Sequence, residues 1–348
     1  MPWYAFLLAP FALIFLGITT ARNFLYDRGW LKSYRSPIPT IVVGNLSVGG
    51  TGKTPMVEFL VNAFHKEKKL ATLSRGYGRK STGFFQANPE SIPEQIGDEP
   101  LQVYSKFQGK IPVFVGEDRV ASLQKIHNLH PKPDWVILDD AFQHRKLLAD
   151  FYILLTPFSK PFYSDWILPM GRLRETGSGA KRADVVIVTK CPEDLRPSKK
   201  EEIRKGLKTF LRPSTSVFFS KLTYGEPYSI HLNVPFSGKV MLVSGLADPS
   251  LFESYCRKTY RVFRSFSFPD HYRFSEKDWE KIGAAWTEFS SGNPVILCTE
   301  KDAQKLKVVA NEGKFREIPI FALPMEVKLE SQEKEMLIAQ IRQKLGTQ

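Results

Sequence analysis

The sequence predicts an α/β fold in which a mostly parallel β-sheet is covered by helices on both faces. Short apolar runs recur along the chain, and segments with helical spacing separate them. A strand that is apolar along its whole length is buried on both sides, which is typical of parallel sheets between layers of helices. The 348 residues are 43% hydrophobic and 24% charged, so the chain is able to bury a substantial core.

Six apolar runs are predicted to form the strands of this first sheet. They are TIVVGN from Thr40, LATLSRGYG from Leu70, IPVFVG from Ile111, DWVILDD from Asp134, FYILLTP from Phe151 and ADVVIVTK from Ala183. The segment PMVEFLVNAFHKE, which follows the first of them, has the apolar spacing of a helix. We therefore place the main domain at residues 36–212.

The pattern changes after this domain. Residues 213–235 alternate between apolar and polar side chains and contain turn residues, which predicts a β-ribbon linker. The runs KVMLVSGLA and NPVILCTEKD then predict a smaller second α/β domain at residues 236–348, which ends in an amphipathic surface helix.

The N-terminal segment, residues 1–35, is predicted to associate with a membrane. No charged residue occurs from Pro2 to Thr20, and a helix of that length is about 28 Å long, close to the hydrocarbon thickness of a bilayer. Basic residues follow at once, so the rest of the chain is cytoplasmic if this helix inserts. Three placements stay open at this point: a single span, shallow insertion in the interface, and a buried helix.

The charged residues and cysteines set broad limits. The net charge of +13 suits nucleic acid, anionic lipid and phosphorylated substrates alike. The three cysteines, Cys191, Cys256 and Cys298, form no CxxC pair, so neither a disulfide framework nor a zinc site is indicated. We expect three small buried side chains in a reducing cytoplasmic setting.

The strongest motif is a glycine-rich loop between the first strand and the following helix. Its residues are Ser47, Val48, Gly49, Gly50, Thr51, Gly52, Lys53 and Thr54. In that context the loop matches a Walker A motif, whose backbone N–H groups surround phosphate oxygens at a helix N-terminus. Lys53 is expected to reach the β- and γ-phosphates of ATP, and the Thr54 hydroxyl to bind Mg²⁺. Ser47 stands where the usual pattern has glycine. The loop makes the predicted fold P-loop NTPase-like.

Acidic residues are predicted to complete the metal site. Asp139 and Asp140 close an apolar strand, which is where a P-loop fold carries the acid that binds Mg²⁺ directly or through water. Which of the two contacts the metal stays open. His144 lies just beyond them and has either a supporting or a purely structural role.

Three further clusters are candidates for chemistry on the phosphate acceptor. Gly97-Asp98-Glu99-Pro100 puts an acid in a turn, and Phe268-Pro269-Asp270-His271 pairs an acid with a histidine. Arg172-Leu173-Arg174-Glu175 holds two guanidinium groups and a carboxylate. Each cluster is also compatible with an ordinary surface turn.

Several motifs together resemble the tetraacyldisaccharide 4'-kinase family of lipid A synthesis. In chain order they are RNFLYDRGWL, VVGNLSVGGTGKTP, LSRGYGRK, GDEP, GEDR, LDDAFQHRKL, LPMGRLRE, FPDHYRFS and TEKDAQKL. The resemblance runs from about Arg22 to about Leu306. It implies transfer of the γ-phosphate of ATP to the 4'-hydroxyl of a tetraacyldisaccharide 1-phosphate, which gives lipid IVA. It also implies an enzyme on the cytoplasmic face of the bacterial inner membrane.

The resemblance implies roles for individual residues as well. Asp98 would act as the base, assisted by His271, and these two would come from different domains. Lys53, Thr54, Asp139, Asp140 and Glu175 would serve phosphate and metal. Contacts with phosphate or sugar would come from Arg75, Tyr77, Arg119, Arg172 and Arg174. The expected partners are the lipid substrate and an anionic membrane surface, with no obligate protein partner.

Two other classes of function remain open on the sequence. One is a P-loop switch that binds a protein partner, because Val188-Thr189-Lys190 faintly resembles a guanine-reading motif, although Cys191 and Pro192 follow where that motif needs an aspartate. The other is a nucleic-acid-binding ATPase. The basic residues are dispersed and no RNA- or DNA-binding signature is present, so we expect no nucleic-acid partner.

Overall fold

The computed structural model describes residues 7–289, 292–310 and 316–346. Within these ranges the chain forms a nine-stranded sheet, a five-stranded sheet and a two-stranded pair. The strands are β1 (Tyr34–Arg35), β2 (Thr40–Asn45), β3 (Leu70–Ser74), β4 (Phe85–Gln86), β5 (Val113–Val115), β6 (Trp135–Asp139), β7 (Leu147–Leu148), β8 (Phe151–Pro157), β9 (Val185–Thr189), β10 (Ser216–Tyr224), β11 (Tyr228–Ser229), β12 (Lys239–Gly245), β13 (Arg261–Phe268), β14 (Val295–Thr299), β15 (Ile320–Leu323) and β16 (Met325–Leu329).

Ten α-helices accompany these strands in the described part of the chain. They are α1 (Ala9–Asp27), α2 (Lys53–Phe64), α3 (Pro93–Ile96), α4 (Asp98–Lys106), α5 (Arg119–His127), α6 (Pro197–Lys208), α7 (Ser250–Thr259), α8 (Glu276–Glu288), α9 (Glu300–Ala310) and α10 (Ser331–Gly346). The mixed architecture, with mostly parallel strands, confirms the predicted α/β fold class.

The nine-stranded sheet has the order β16-β10-β9-β8-β2-β6-β3-β5-β4. Its inner neighbours are all parallel, and only the edge pairs β16–β10 and β5–β4 are antiparallel. Alternate residues of β2 face opposite sides: Ile41 packs in a core cluster with residues of α2 and α10, and Val42 in one with residues of α5 and α6. Helices therefore cover both faces, as predicted.

The five-stranded sheet has the order β11-β15-β14-β12-β13, with β11–β15 as its antiparallel pair. Trp279 of α8 and Leu306 of α9 pack on one face, and Phe252 of α7 packs on the other. The second α/β unit therefore has its own core. All three cysteines are buried, as the sequence predicted.

The segment expected as a β-ribbon, residues 213–235, connects the two sheets in a different way. Its strand β10 lies inside the large sheet between β9 and β16, and its strand β11 pairs with β15 of the small sheet. The C-terminal residues then return to the first sheet, because β16 pairs with β10 and Leu337 and Ile341 of α10 are buried in its core. The expected boundaries at 213–235 and 236–348 miss this return, since a strand's sequence does not reveal which sheet it joins.

Helix α1 exposes most of its apolar side chains. Only Ala12 and Thr19 are buried in it, whereas five large apolar side chains are between 61% and 68% exposed: Phe11, Leu13, Ile14 and Ile18 of the helix, and Leu7 just before it. This rules out the buried-helix placement. Across the described residues, no helix is both long and apolar enough to cross a membrane. Residues 2–6 of the uncharged run lie outside the described part of the chain.

Candidate active site

The glycine-rich loop connects β2 to α2, as the sequence predicted. Gly49 and Gly52 have φ values of 105° and 89°, a backbone region that glycine adopts without steric cost. Two hydrogen bonds fix Thr51: its hydroxyl accepts from the Asn45 amide at 2.8 Å, and its carbonyl accepts from the Thr189 hydroxyl at 2.8 Å. The loop is therefore held by the strand that precedes it and by the end of β9.

Ser47, the residue that departs from the usual motif, fits its position. It is not among the residues with positive φ, so the backbone here does not require glycine. Its side chain is buried, and the residue forms a β-bridge with Leu173. The next residue, Val48, donates its N–H to the Arg172 carbonyl at 2.8 Å. The loop thus begins against the segment that carries the candidate arginines.

Asp139 and Asp140 lie at the carboxyl end of β6, which neighbours β2 in the sheet. Lys53 Nζ is 3.9 Å from Asp140 Oδ1, and the Arg174 guanidinium holds both Asp140 oxygens, at 2.6 and 3.1 Å. Burial alone would raise the pKa of Asp140, but the charges of Lys53 and Arg174 lower it below its usual value. Burial raises the pKa of Asp139 to about 7, and the nearby carboxylate of Glu99 contributes to the rise.

The donor set at this strand end fits a magnesium ion. The Asp139 Oδ1 atom is buried and has no hydrogen-bond partner in the described part of the chain. Carboxylate and hydroxyl oxygens are the ligands Mg²⁺ prefers, and the ion usually takes only one or two carboxylates beside substrate phosphates. No cluster of three or more acidic, histidine or cysteine side chains that could hold a metal ion occurs among residues 7–289, 292–310 and 316–346.

Glu175, the fourth residue predicted for the metal, has other partners in this structure. Its carboxylate is fully buried and accepts hydrogen bonds from Arg182 at 2.6 Å, Gln143 at 3.0 Å and Asn23 at 2.8 Å. Both oxygens are therefore in use, and the Asn23 bond ties the end of α1 to the site. A metal-binding role needs Glu175 to exchange at least one of these partners for the ion, and it stays a prediction.

Arg119 and Arg172, which were predicted to contact phosphate or sugar, and the nearby His144 lie in different surroundings. Arg119 lies near Asp140 and Arg75. It is 3% exposed, and burial lowers its pKa to about 10. Arg172 lies next to the phosphate loop, but its Nε–H donates a hydrogen bond to Asp165 Oδ2 at 2.7 Å. His144 is near Arg119; burial and that positive charge lower its pKa to about 4, so the imidazole is neutral at physiological pH.

The predicted pair of Asp98 and His271 meets across the two sheets. Asp98 opens α4, and His271 follows β13 with a φ of 57°. Asp98 Oδ2 lies 3.2 Å from His271 Nδ1, and the ring of Tyr77, which is 68% exposed, lies with its centroid 5.0 Å from that of His271. The pair lines a cleft of about 290 Å³ together with Gly78, Arg273 and Lys305.

Two lysines of α9, for which no role was predicted from the sequence, contact Asp98, Asp270 and His271. Lys305 Nζ is 2.8 Å from Asp98 Oδ2, and Lys301 Nζ is 2.7 Å from Asp270 and 3.3 Å from His271 Nε2. Burial alone would raise the pKa of Asp98, but its bonds with His271 and Lys305 lower it. The two lysines are four residues apart in α9, which follows β14 directly. This spacing puts them on one face of the helix and is visible in the motif TEKDAQKL.

Lys190 is a further residue near the phosphate loop for which no role in phosphate binding was predicted from the sequence. It follows β9 directly, with a φ of 59°, and its Nζ lies 3.8 Å from where a β-carbon on Gly50 would stand. Burial lowers its pKa. From the sequence, Lys190 was considered only as part of a guanine-reading motif. In the structure its ammonium group lies beside the phosphate loop.

Comparisons with known proteins show which proteins this chain resembles. The family model of tetraacyldisaccharide-1-P 4'-kinase (LpxK) matches residues 4–345. The chain is similar to the tetraacyldisaccharide 4'-kinase of Flavobacterium psychrophilum, with 42% identity over 91% of each protein. It is 39% identical to the enzyme of the same name from Cytophaga hutchinsonii, covering 95% of this chain and 93% of that one. A crystal structure of LpxK from Aquifex aeolicus in complex with ATP superposes with a TM-score of 0.74 at 32% identity, over 97% of this chain and 99% of that chain.

Proposed function

The chain belongs to the tetraacyldisaccharide-1-P 4'-kinase (LpxK) family, and from this premise we propose how its residues bind ATP, accept the lipid and transfer the phosphate. As a member of that family it is an enzyme, a kinase that phosphorylates the lipid A precursor at the 4' position. The γ-phosphate of ATP goes to the 4'-hydroxyl of a tetraacyldisaccharide 1-phosphate, and the product is lipid IVA.

On the phosphate side, we assign the work to the loop and the end of β6. Backbone N–H groups of residues 49–54 surround the phosphates, because the Val48 N–H is already used by the Arg172 carbonyl. Lys53 neutralises charge that develops on the transferring group. Thr54, Asp139 and Asp140 would hold Mg²⁺, which when bound screens the negative phosphates. Arg174 keeps Asp140 ionised and oriented, as its two hydrogen bonds with that carboxylate support. Arg119, which interacts with Asp140 and Arg75, would contribute positive charge to the phosphates, together with Arg75.

On the acceptor side, Asp98 takes the proton of the sugar hydroxyl as that oxygen attacks the γ-phosphorus. A carboxylate in hydrogen-bond reach of a hydroxyl is suited to this role. The observation that carries this proposal is the 3.2 Å contact between Asp98 and His271 in their shared cleft. Glu99, the neighbour of Asp98, is close enough to Asp139 to raise its pKa, which supports a position of the cleft near the predicted metal ligands. His271 orients Asp98, and Tyr77 offers the sugar an exposed ring. Lys305 has to yield its ion pair with Asp98 when the hydroxyl binds.

One experiment tests the proposal as a whole. The purified protein is incubated with Mg²⁺, the tetraacyldisaccharide 1-phosphate and either ATP or GTP, and the lipid product is identified by mass. We expect one added phosphate at the 4' position with ATP. A preference for GTP, or nucleotide hydrolysis without a phosphorylated lipid, would favour the P-loop switch instead.

We further propose that α1 binds shallowly in the cytoplasmic face of the bacterial inner membrane. The five exposed apolar side chains and the basic residues that follow support this, because an interfacial helix buries its apolar face and anionic lipids attract nearby Lys and Arg. Deleting residues 1–20 should reduce binding to phosphatidylglycerol-containing vesicles, and so should Leu13→Ser/Ile14→Ser/Ile18→Ser, which leaves Asn23 in place. Vesicle binding equal to that of the full chain in both variants would contradict this placement.

A further inference from the structure

A buried ion network lies away from the cleft, at the far end of α4. Lys106 Nζ is 2.8 Å from Glu58 Oε2 and 2.8 Å from Glu300 Oε2, so one ammonium group bridges two carboxylates. The other Glu58 oxygen accepts a hydrogen bond from Gln102 at 2.7 Å. The side chains of Glu58 and Glu300 are only 3% and 5% exposed. Loss of one member of such a network strongly destabilises the fold, because the remaining charges are then buried without compensation.

The three charged residues come from three different helices, and each helix carries groups of the candidate active site. Glu58 belongs to α2, which begins with Lys53 and Thr54. Lys106 belongs to α4, which begins with Asp98. Glu300 belongs to α9, which carries Lys301 and Lys305 and packs on the second sheet. The network therefore joins the two sheets through the helices that present catalytic groups.

The arrangement of α4 connects the network to Asp98. Asp98, Gln102 and Lys106 are spaced four residues apart, so they lie along one side of the helix, with the first and last about 12 Å apart. Both ends of that side contact α9: Asp98 through Lys305 and Lys106 through Glu300. Between them, the Ser105 hydroxyl donates to Gln304 Oε1 at 2.9 Å. A shift of α9 at the Lys106 end would therefore move the partners of Asp98 at the other end.

We propose that Lys106 is a positioning residue for the transfer reaction, which through its bridge between Glu58 and Glu300 sets the alignment of Asp98 with His271 across the two sheets. Lys106 touches neither substrate nor the reacting atoms. It acts by holding α4 and α9 in one relative placement, and α2 with them. The proposal rests on the role proposed for Asp98 as the base.

The test compares Lys106→Met with Lys200→Met in the full-length enzyme. Lys200 is a matched control, because it is 15% exposed, against 16% for Lys106, and it also forms a close ion pair, at 2.6 Å with Glu330. We expect Lys106→Met to lower kcat about tenfold to a hundredfold, as a misplaced catalytic group does, while the KM for ATP changes little. The control should keep a normal kcat. Lys106→Arg, which preserves two donors, should recover most of the activity.

A second variant keeps the proposal testable if Lys106→Met fails to fold. Glu300→Gln retains shape but weakens the bridge, and it should lower kcat in the wild-type background and have no further effect in Asp98→Asn. Equal kcat losses from Glu300→Gln in both backgrounds would overturn the proposal, as would a Lys106→Met enzyme with the kcat of the control. If Asp98→Asn itself turns over normally, the assigned base is wrong, which is a separate result.

Discussion

The phosphate side and the acceptor side of the site are built in different ways. The phosphate loop, Asp139 and Lys190 come from the ends of β2, β6 and β9 in one parallel sheet, and much of the predicted binding uses backbone groups. The acceptor side joins Asp98 of α4, His271 after β13 and two lysines of α9, so it spans both sheets. Local chain geometry sets the first, whereas the second depends on how two separate cores are held against each other.

The largest effect should come from the phosphate side. Lys53→Ala removes the positive charge predicted to face the transferring phosphate. An arginine finger, a cation that also stabilises transition-state charge in phosphoryl transfer, is worth about 10³ to 10⁵ in kcat, and we expect a loss of that order. Steady-state assays with ATP and the lipid acceptor measure it, with Lys200→Met as a control for the loss of a lysine. Near-normal turnover of Lys53→Ala would contradict the assignment of the loop. Thr54→Ala should also be severely impaired.

The acceptor side should show the next largest loss. Asp98→Asn preserves shape but removes the base, and general-base catalysis typically contributes about 10² to 10⁴ in rate. Both kcat and kcat/KM should fall while ATP affinity, measured by calorimetry, changes little. If raised Mg²⁺ restores activity, Asp98 is a metal ligand instead. A lower melting temperature with normal turnover would make it a structural residue at the start of α4.

His271→Ala tests whether the acceptor side works as a unit. Loss of the ring should misplace Asp98 and cost up to about a hundredfold in kcat, less than loss of the base itself. Because both residues serve one step, the double variant should be little worse than Asp98→Asn alone. Multiplicative losses in the double variant would show that the two side chains act independently.

The smallest effect near neutral pH should come from Lys305→Met. The pKa of Asp98 is held low partly by Lys305, so its ionised form is already complete in the neutral range and is lost only as pH falls through that lowered pKa. Without Lys305 the pKa rises, and the acid limb of the kcat/KM profile should move to higher pH. An unchanged acid limb would show that another group governs it.

The same comparison explains what could be predicted from the sequence. Six parallel strands of the first sheet (β2, β3, β5, β6, β8 and β9), the loop and the position of Asp139-Asp140 at a strand end were predicted, because each is a contiguous pattern with a known structural context. Ser47 departs from the usual motif, and only the structure shows that its backbone needs no glycine. The return of β16 and α10 to the first sheet was missed, because strand pairing between distant segments leaves no local signal.

On the acceptor side, the pairing of Asp98 with His271 was predicted through family resemblance and not from spacing, since 173 residues separate the two along the chain. Lys301 and Lys305 were missed because lysines on a helix face are usually solvated, and their burial follows from the contact between α4 and α9. Glu175 was assigned to the metal from its motif, but its bonds to Arg182 and Asn23 depend on the folded surroundings.

The left-handed backbone at Asp140, Lys190 and His271 has a consequence for anyone who engineers this enzyme for heat resistance. Each is a non-glycine residue with φ between 50° and 59°, a conformation that costs about 1 kcal/mol or more relative to glycine. A stability screen would therefore favour glycine at these three positions. Each such gain would delete a charged or titratable side chain from the candidate active site. Melting temperature alone is thus a misleading guide here, and selection should monitor lipid phosphorylation alongside it.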